Sequence, residues 1–198
     1  NHVYTGVRKT VKRAISSEVI QRIKKLDLTM FPILEESRDY FLLSFHLRGI
    51  SFVDLSYLKM SDLQNGCLKY LRHKTNQLLT IKWEAQMQEI VNRYHVAGSP
   101  YLLPIINVPG VGERRQYQNG LHRINAHLKI IGKLVGCPIK LTTYCARHGW
   151  ASIARSMNIP LSIISESMGH TSESTTRIYL ASLDNVLIDA NKMIIDTI

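Results

Sequence analysis

The sequence predicts an α+β domain, mostly helical, with one small three-stranded antiparallel sheet. Three observations predict it. Apolar residues recur at helical spacing through most of the chain. One stretch, from about Leu58 to Trp83, changes period around an Asn65-Gly66 turn. The 198 residues, 45% of them hydrophobic, suffice for one large core, with no internal repeat and no Pro/Gly linker to divide it.

The elements follow in order. Residues 1–14 lack a helical period and read as a basic arm or interdomain linker, with the domain over 15–198. The chain does not begin with Met, so the arm is expected to continue from an upstream segment. Val19, Ile20 and Ile23 form one face of a helix over Ser16–Leu26, started by a serine. Pro32 sits in the first turn of a second helix, Ile33–Leu47, rich in Phe and Leu and therefore buried. Leu58/Met60 and Leu68/Tyr70 flank the Asn65-Gly66 turn as two strands, and a second turn near Lys74-Thr75-Asn76 leads to Leu78–Ile81. Trp83–Tyr94 returns to helical spacing. Gly98–Gly112, with Pro100, Pro104 and Pro109, is a loop. Arg115–Leu134 is a long basic helix ended by Gly136 and Pro138. Thr142 or Thr143 caps the next helix, through Met157. Short helices are expected at Pro160–Met168 and Ser172–Leu180, and an amphipathic one at Asp184–Ile195, capped by Asp184.

Composition narrows the class. Balanced hydrophobicity excludes a disordered tail protein. No stretch approaches the roughly 20 apolar residues of a membrane span. No basic–apolar–small leader opens the chain, so secretion is not expected. Cys67, Cys137 and Cys145 are odd in number and lack metal-ligand spacing, which speaks for a reducing cytosol and against a disulfide framework or zinc knuckle. The net charge of +10 is uneven: residues 69–155 carry thirteen Lys/Arg against three acids, and residues 156–198 two against five. A basic middle suits a polyanion, with the acidic tail elsewhere.

The informative stretch runs from Leu141 to Leu180, LTTYCARHGWASIARSMNIPLSIISESMGHTSESTTRIYL. Arg147 lies near a helix start, Gly169-His170 follows a second helix, and Tyr179 comes nine residues after His170. This resembles the C-terminal half of the tyrosine recombinase (phage integrase) family, whose pattern is H-x-x-R, then G-H, then Y nine residues on. Upstream, Arg48 in HLRGISFVDLSYLKMSDL sits where that family's first arginine would, and Lys74 in RHKTNQ looks like its hairpin lysine. The resemblance covers roughly residues 10–190. It implies a tyrosine-recombinase-like catalytic domain whose upstream DNA-binding domain is absent from this chain.

The implied reaction is transesterification at a DNA phosphodiester. The tyrosine hydroxyl attacks phosphorus and displaces a 5′-hydroxyl, and the 3′-phosphotyrosyl bond conserves the energy, so neither cofactor nor metal is required. Permanently cationic guanidiniums, Arg48 and Arg147, suit the charge that builds on the non-bridging oxygens. Lys74 would protonate the leaving oxygen, His170 would donate to the phosphate, and Tyr179 would be the nucleophile. The family's usual His, three before the arginine, is here Tyr144, which can hydrogen-bond a phosphate but is a poor base at neutral pH. His148, next to Arg147, is turned about 100° away on the helix. The usual acid three residues after the first arginine is replaced by Ser51. Asp54 matches it instead, across an insertion close to one helical turn, and is expected beside Arg48 in support.

Arg72, Arg114, Arg115, Arg123, Lys129 and Lys133 are expected as a group to contact the phosphate backbone. His122 and His127 are five apart, which is not a metal-ligand pair on one helix face, and read as DNA-facing or exposed. The expected partners are double-stranded DNA and further copies of the chain, monomeric when free and a homo-tetramer on DNA, with no membrane and a cytoplasmic, nucleoid-associated location. The expected function is site-specific recombination or integration of a mobile element. The alternatives are a catalytically inert DNA-binding protein of the same fold and a type IB topoisomerase. A metal-dependent nuclease or transposase would need clustered carboxylates, and Glu84, Glu89 and Glu113 lack such spacing. The Asp184–Ile195 helix can close the domain's own core or dock on a neighbouring protomer.

Overall fold

A computed structural model describes residues 14–170. Helix α1 spans Ser17–Lys25, α2 Pro32–His46 and α3 Phe52–Tyr57. A 3-10 turn at Met60–Asp62 leads to strands β1 (Leu63–Gln64), β2 (Cys67–Leu71) and β3 (Leu78–Lys82). Helices α4 (Ala85–Tyr94), α5 (Glu113–Leu134), α6 (Thr143–Ser156) and α7 (Leu161–Ser167) complete the described part. The expected helices at Ser172–Leu180 and Asp184–Ile195, and most of the basic arm, lie outside the described residues.

Helix α2 is the axis. Every residue from Ser37 to Ser44 is buried, because α2 packs against α1, α4, α5 and α6. Tyr40, Phe41, Leu43 and Leu47 are nearly sealed from solvent. Burial of this kind contributes about 1.5–3 kcal/mol per large apolar side chain. Polar groups on α2 tie in its neighbours. Buried Asp39 accepts from Arg93 Nη1 (2.6 Å) and Tyr94 Oη (2.8 Å) of α4, and from Arg38 Nε (2.9 Å). A buried carboxylate with three donors avoids the cost of a lone charge. On the other side, Ser37 Oγ hydrogen-bonds His127 Nδ1 of α5 at 2.8 Å.

The three strands form one antiparallel sheet in the order β1-β2-β3. Leu63 pairs with Leu68 across Asn65-Gly66, where both residues have positive φ, as a two-residue hairpin turn demands. Leu68 pairs with Ile81 and Tyr70 with Leu79, so the inward side chains of β2 and β3 face the core together. The first strand is shorter than the sequence suggests. Leu58 and Met60 do not pair with β2. Instead Met60 N–H donates to the Pro100 carbonyl (2.9 Å), Leu102 N–H donates to the Leu58 carbonyl (2.8 Å), and Lys59 bridges to Tyr101. The 95–112 loop thus takes the backbone bonds a longer β1 would have used.

Helix α3 is a further difference. Its six residues are too few to show a period, yet Ser51 caps it by accepting from Asp54 N–H. Helix α5 buries Gly120, Ile124, Leu128 and Ile131 along one stripe and ends at Gly136 in the left-handed region, where Cys137 N–H closes back on the Gly132 carbonyl. No helix among the described residues is long and apolar enough to cross a membrane.

Candidate active site

Three segments converge on one end of α6: the turn after α2, the β2–β3 hairpin and the turn after α7. The chain leaves α2 through Arg48 and Gly49, both with positive φ. A non-glycine residue in this region costs on the order of 1 kcal/mol, so the surroundings must hold Arg48 there. They do: Gly49 N–H and Ile50 N–H both bond the Ser44 carbonyl, and Ser44 Oγ donates to the Ile50 carbonyl at 2.9 Å. Gly49 is required for a second reason. A Cβ at this position would stand 2.4 Å from the Cα of Arg147, so the turn lies directly on the α6 backbone. Arg48, half-buried, stands one residue before that contact.

Arg147 is buried, at 5% exposure, and three groups satisfy it. Its Nη1 donates to the Gly49 carbonyl (2.9 Å), and its Nη2 donates to the Met168 carbonyl (2.6 Å) and to His170 Nε2 (2.9 Å). Burial, then the nearby Arg72 charge, push Arg147 down to about 10, and it stays cationic at neutral pH. Because arginine can only donate, His170 Nε2 must accept, which leaves Nδ1 as the protonated nitrogen. Burial first, then the charges of Arg147, Arg72 and Lys74, hold His170 down at about 4, so it is neutral at pH 7.

The hairpin supplies Lys74, exposed at its tip. The turn closes by Arg72 N–H to the Gln77 carbonyl and Asn76 N–H to the Arg72 carbonyl. Asp54 anchors it: buried Asp54 accepts the His73 N–H on Oδ1 (2.8 Å) while Ser51 Oγ donates to Oδ2 (2.6 Å). Ser51 and Asp54, the two candidates for one acidic position, therefore act together. Tyr57 stacks on the His73 ring, with centroids 5.9 Å apart.

Tyr144 lies three residues before Arg147 in the first turn of α6, 40% exposed, with its ring edge-on to His148 at 4.8 Å. His148 itself is buried. Tyr179 lies outside the described residues. Sequence reasoning passed over Tyr70. It is buried on β2 where the charges of Arg147, Arg72, Arg48 and Asp54 all reach it, and burial holds its phenol protonated. Strand alternation carried that signal: Leu68, Tyr70 and Arg72 fall on one face. Arg72, expected among the exposed duplex contacts, is buried as well.

The other basic candidates divide. Arg115, Lys129 and Lys133 are exposed on the face of α5 opposite Ile124 and Leu128, in line with His122, and Arg114 is exposed beside them. Arg123 pairs with Glu36 of α2. His127 is held by Ser37 rather than presented to solvent.

Among the described residues no carboxylate lies within ion-pair distance of Arg48, Arg72 or Arg147. Nor do any three His, Cys, Asp or Glu side chains among them gather as a metal site. Such an arrangement of guanidiniums and a neutral imidazole can receive an anion.

The described fold, seven helices and a three-stranded antiparallel sheet, is that of the tyrosine recombinase catalytic domain. The XerA recombinase superposes with a TM-score of 0.61 at 16% identity, over 91% of this chain and 66% of that one. The XerH site-specific recombinase bound to its difH substrate, a pre-cleavage complex, gives 0.63 at 18% identity, over 94% and 55%. A lambda integrase dimer bound to a COC′ core site gives 0.60 at 17% identity, over 88% and 62%. This chain thus spans between about half and two thirds of the length of those chains. No family model matches the sequence. No curated protein matches it either.

Proposed function

We propose that this chain is the catalytic domain of a site-specific tyrosine recombinase, acting as the integrase of a mobile element. One observation carries the reading: Arg147 is a buried cation with no described carboxylate within ion-pair distance, and it is bonded to a neutral His170. A buried guanidinium that meets only neutral acceptors gains from an arriving anion, and a diester phosphate is such an anion. The fold supports the reading, because XerH was solved on its difH substrate and lambda integrase as a tetramer on a Holliday junction.

In this mechanism the Tyr179 oxygen attacks phosphorus as the P–O5′ bond breaks. The phenol, ordinarily near pKa 10, releases its proton to water during the attack, a loss that cationic charge near the phosphate would favour. Arg48 and Arg147 bind the non-bridging oxygens. His170 donates from Nδ1, Tyr144 donates its hydroxyl, and the Lys74 ammonium protonates the departing O5′. The exposed Arg114, Arg115, Lys129 and Lys133 hold the duplex, on which copies of the chain assemble as a tetramer.

The test is covalent trapping on nicked suicide duplexes drawn from a randomised pool. The unaltered chain is expected to form an SDS-stable adduct, undiminished by EDTA, whose attached peptide contains Tyr179. Tyr179→Phe is expected to bind the same duplexes and form none; an adduct surviving in that variant would sink the nucleophile assignment. The second reading, a DNA-binding protein that does not cut, is favoured by Tyr144 standing where a histidine is usual. Binding without any adduct from the unaltered chain would establish it.

A further inference from the structure

Arg72 stands two residues before Lys74, at the root of the hairpin turn, and strand alternation turns it inward to 8% exposure. Its Nη1 donates to the carbonyl of Gly169, the residue before His170. Gly169 makes that approach possible. Its φ is +63°, and a Cβ there would come within 3.0 Å of Arg72 Cδ and 3.1 Å of Leu79 Cδ1. Arg147 holds the same turn from the other side, through the Met168 carbonyl and His170 Nε2. The Gly169 turn is therefore gripped between two guanidiniums, one from α6 and one from the hairpin.

We infer that Arg72 is a positioning residue, a latch that joins the hairpin presenting Lys74 to the turn presenting His170. The proposal rests on the recombinase reading of Lys74. An exposed lysine at a hairpin tip samples many positions, whereas a general acid must stand about 3 Å from the oxygen it protonates. Tying the root of the hairpin to the phosphate-binding turn restricts that search, so proton donor and phosphate ligand are delivered as one unit. Asp54 holds the neighbouring His73 N–H to α3, which fixes the outer side of the same turn.

The chemistry offers a test that a purely structural role would not pass. In the natural diester, O5′ departs with the electrons of the P–O5′ bond and takes a proton from Lys74. With sulfur in place of O5′, the leaving group departs as a thiolate, whose thiol has a pKa of about 8.5, and no proton is needed. The probe is the duplex recovered by trapping, remade with a 5′-bridging sulfur at the cleaved position. Lys74→Ala, Arg72→Ala and the charge-keeping Arg72→Lys are each compared with the unaltered chain on both duplexes by single-turnover adduct formation.

On the oxygen duplex Lys74→Ala is expected to slow cleavage by about 10²–10⁴-fold, the range for loss of a general acid, and Arg72→Ala to fall in the same range. On the sulfur duplex Lys74→Ala is expected within about tenfold of the unaltered chain, and Arg72→Ala is expected to recover most of its loss, keeping the part that comes from a loosened His170 turn. Arg72→Lys, which keeps the charge but not the fork of donors, is expected to show the same pattern more weakly. It carries the test if the alanine variant does not fold. Rescue of Lys74→Ala by sulfur without rescue of either Arg72 variant overturns the latch alone. Failure of sulfur to rescue Lys74→Ala overturns the lysine's assignment and the latch with it.

Discussion

At the scale of single residues, the site is a problem of unpaired charge. Arg147 remains cationic although burial and Arg72 both oppose it, and its hydrogen bonds go to two carbonyls and an imidazole rather than to an acid. The imidazole pays for this proximity in proton affinity. His170 titrates at about 4 in the folded chain, against about 6.5 when unfolded. Between those values the unfolded chain holds a proton that the folded chain lacks, so stability falls as pH is lowered through that window. His46 and His127 are also shifted down by burial and act in the same direction. Replacing His170 with Gln, which can still accept from Arg147, should reduce the loss of melting temperature between pH 7 and pH 4.5. An unchanged or steeper loss would remove His170 from the account. Motif spacing alone pointed to Arg147 and His170. Tyr70 and the burial of Arg72 were legible only in the alternation of β2, a weaker signal because it says which way a side chain faces and not what it meets.

At the scale of elements, the connection after α2 matters most. Its Arg48-Gly49 turn is left-handed at both residues and lies on the α6 backbone. Gly49→Ala must either push Arg147 away or unwind the turn. We expect destabilisation of about 2–4 kcal/mol, from overpacking and left-handed strain together, and loss of adduct formation. Denaturant titration checks the first and trapping the second; a stable, active Gly49→Ala chain would contradict the close approach. The helices that carry the core were legible because their apolar periods are long and their caps conventional: α2 with Pro32 in its first turn, α6 with Thr142 before it. Helix α3 was not, since six residues span less than two turns and its decisive feature is the Ser51–Asp54 contact. The shortened β1 was not legible either, because its would-be partners are residues 100–102, some forty positions away.

At the scale of the whole molecule, the basic middle of the sequence resolves into two populations. Arg72 and Arg147 are internal, whereas Arg115, Lys129 and Lys133 line the outer face of α5. Only the second population should act as a general polyanion surface. Replacing Arg115, Lys129 and Lys133 together with Gln should weaken duplex binding about equally across sequences. The slope of log affinity against log salt should fall by about 0.9 for each phosphate no longer neutralised. An unchanged slope would place the duplex on another face. Arg48 and Lys74, in neither population, rest on unequal foundations. The Arg48 turn grows directly from α2, against which α1, α4, α5 and α6 all pack. The strands of the Lys74 hairpin are rooted in the core by Leu68, Tyr70, Leu79 and Ile81, whereas its tip is held by the bonds of Asp54 and Arg72 and can open while the strands stay packed. On the proposed reading, the arginines that would hold phosphate are as durable as the core that carries them, while the tip that would deliver the proton is a detachable part.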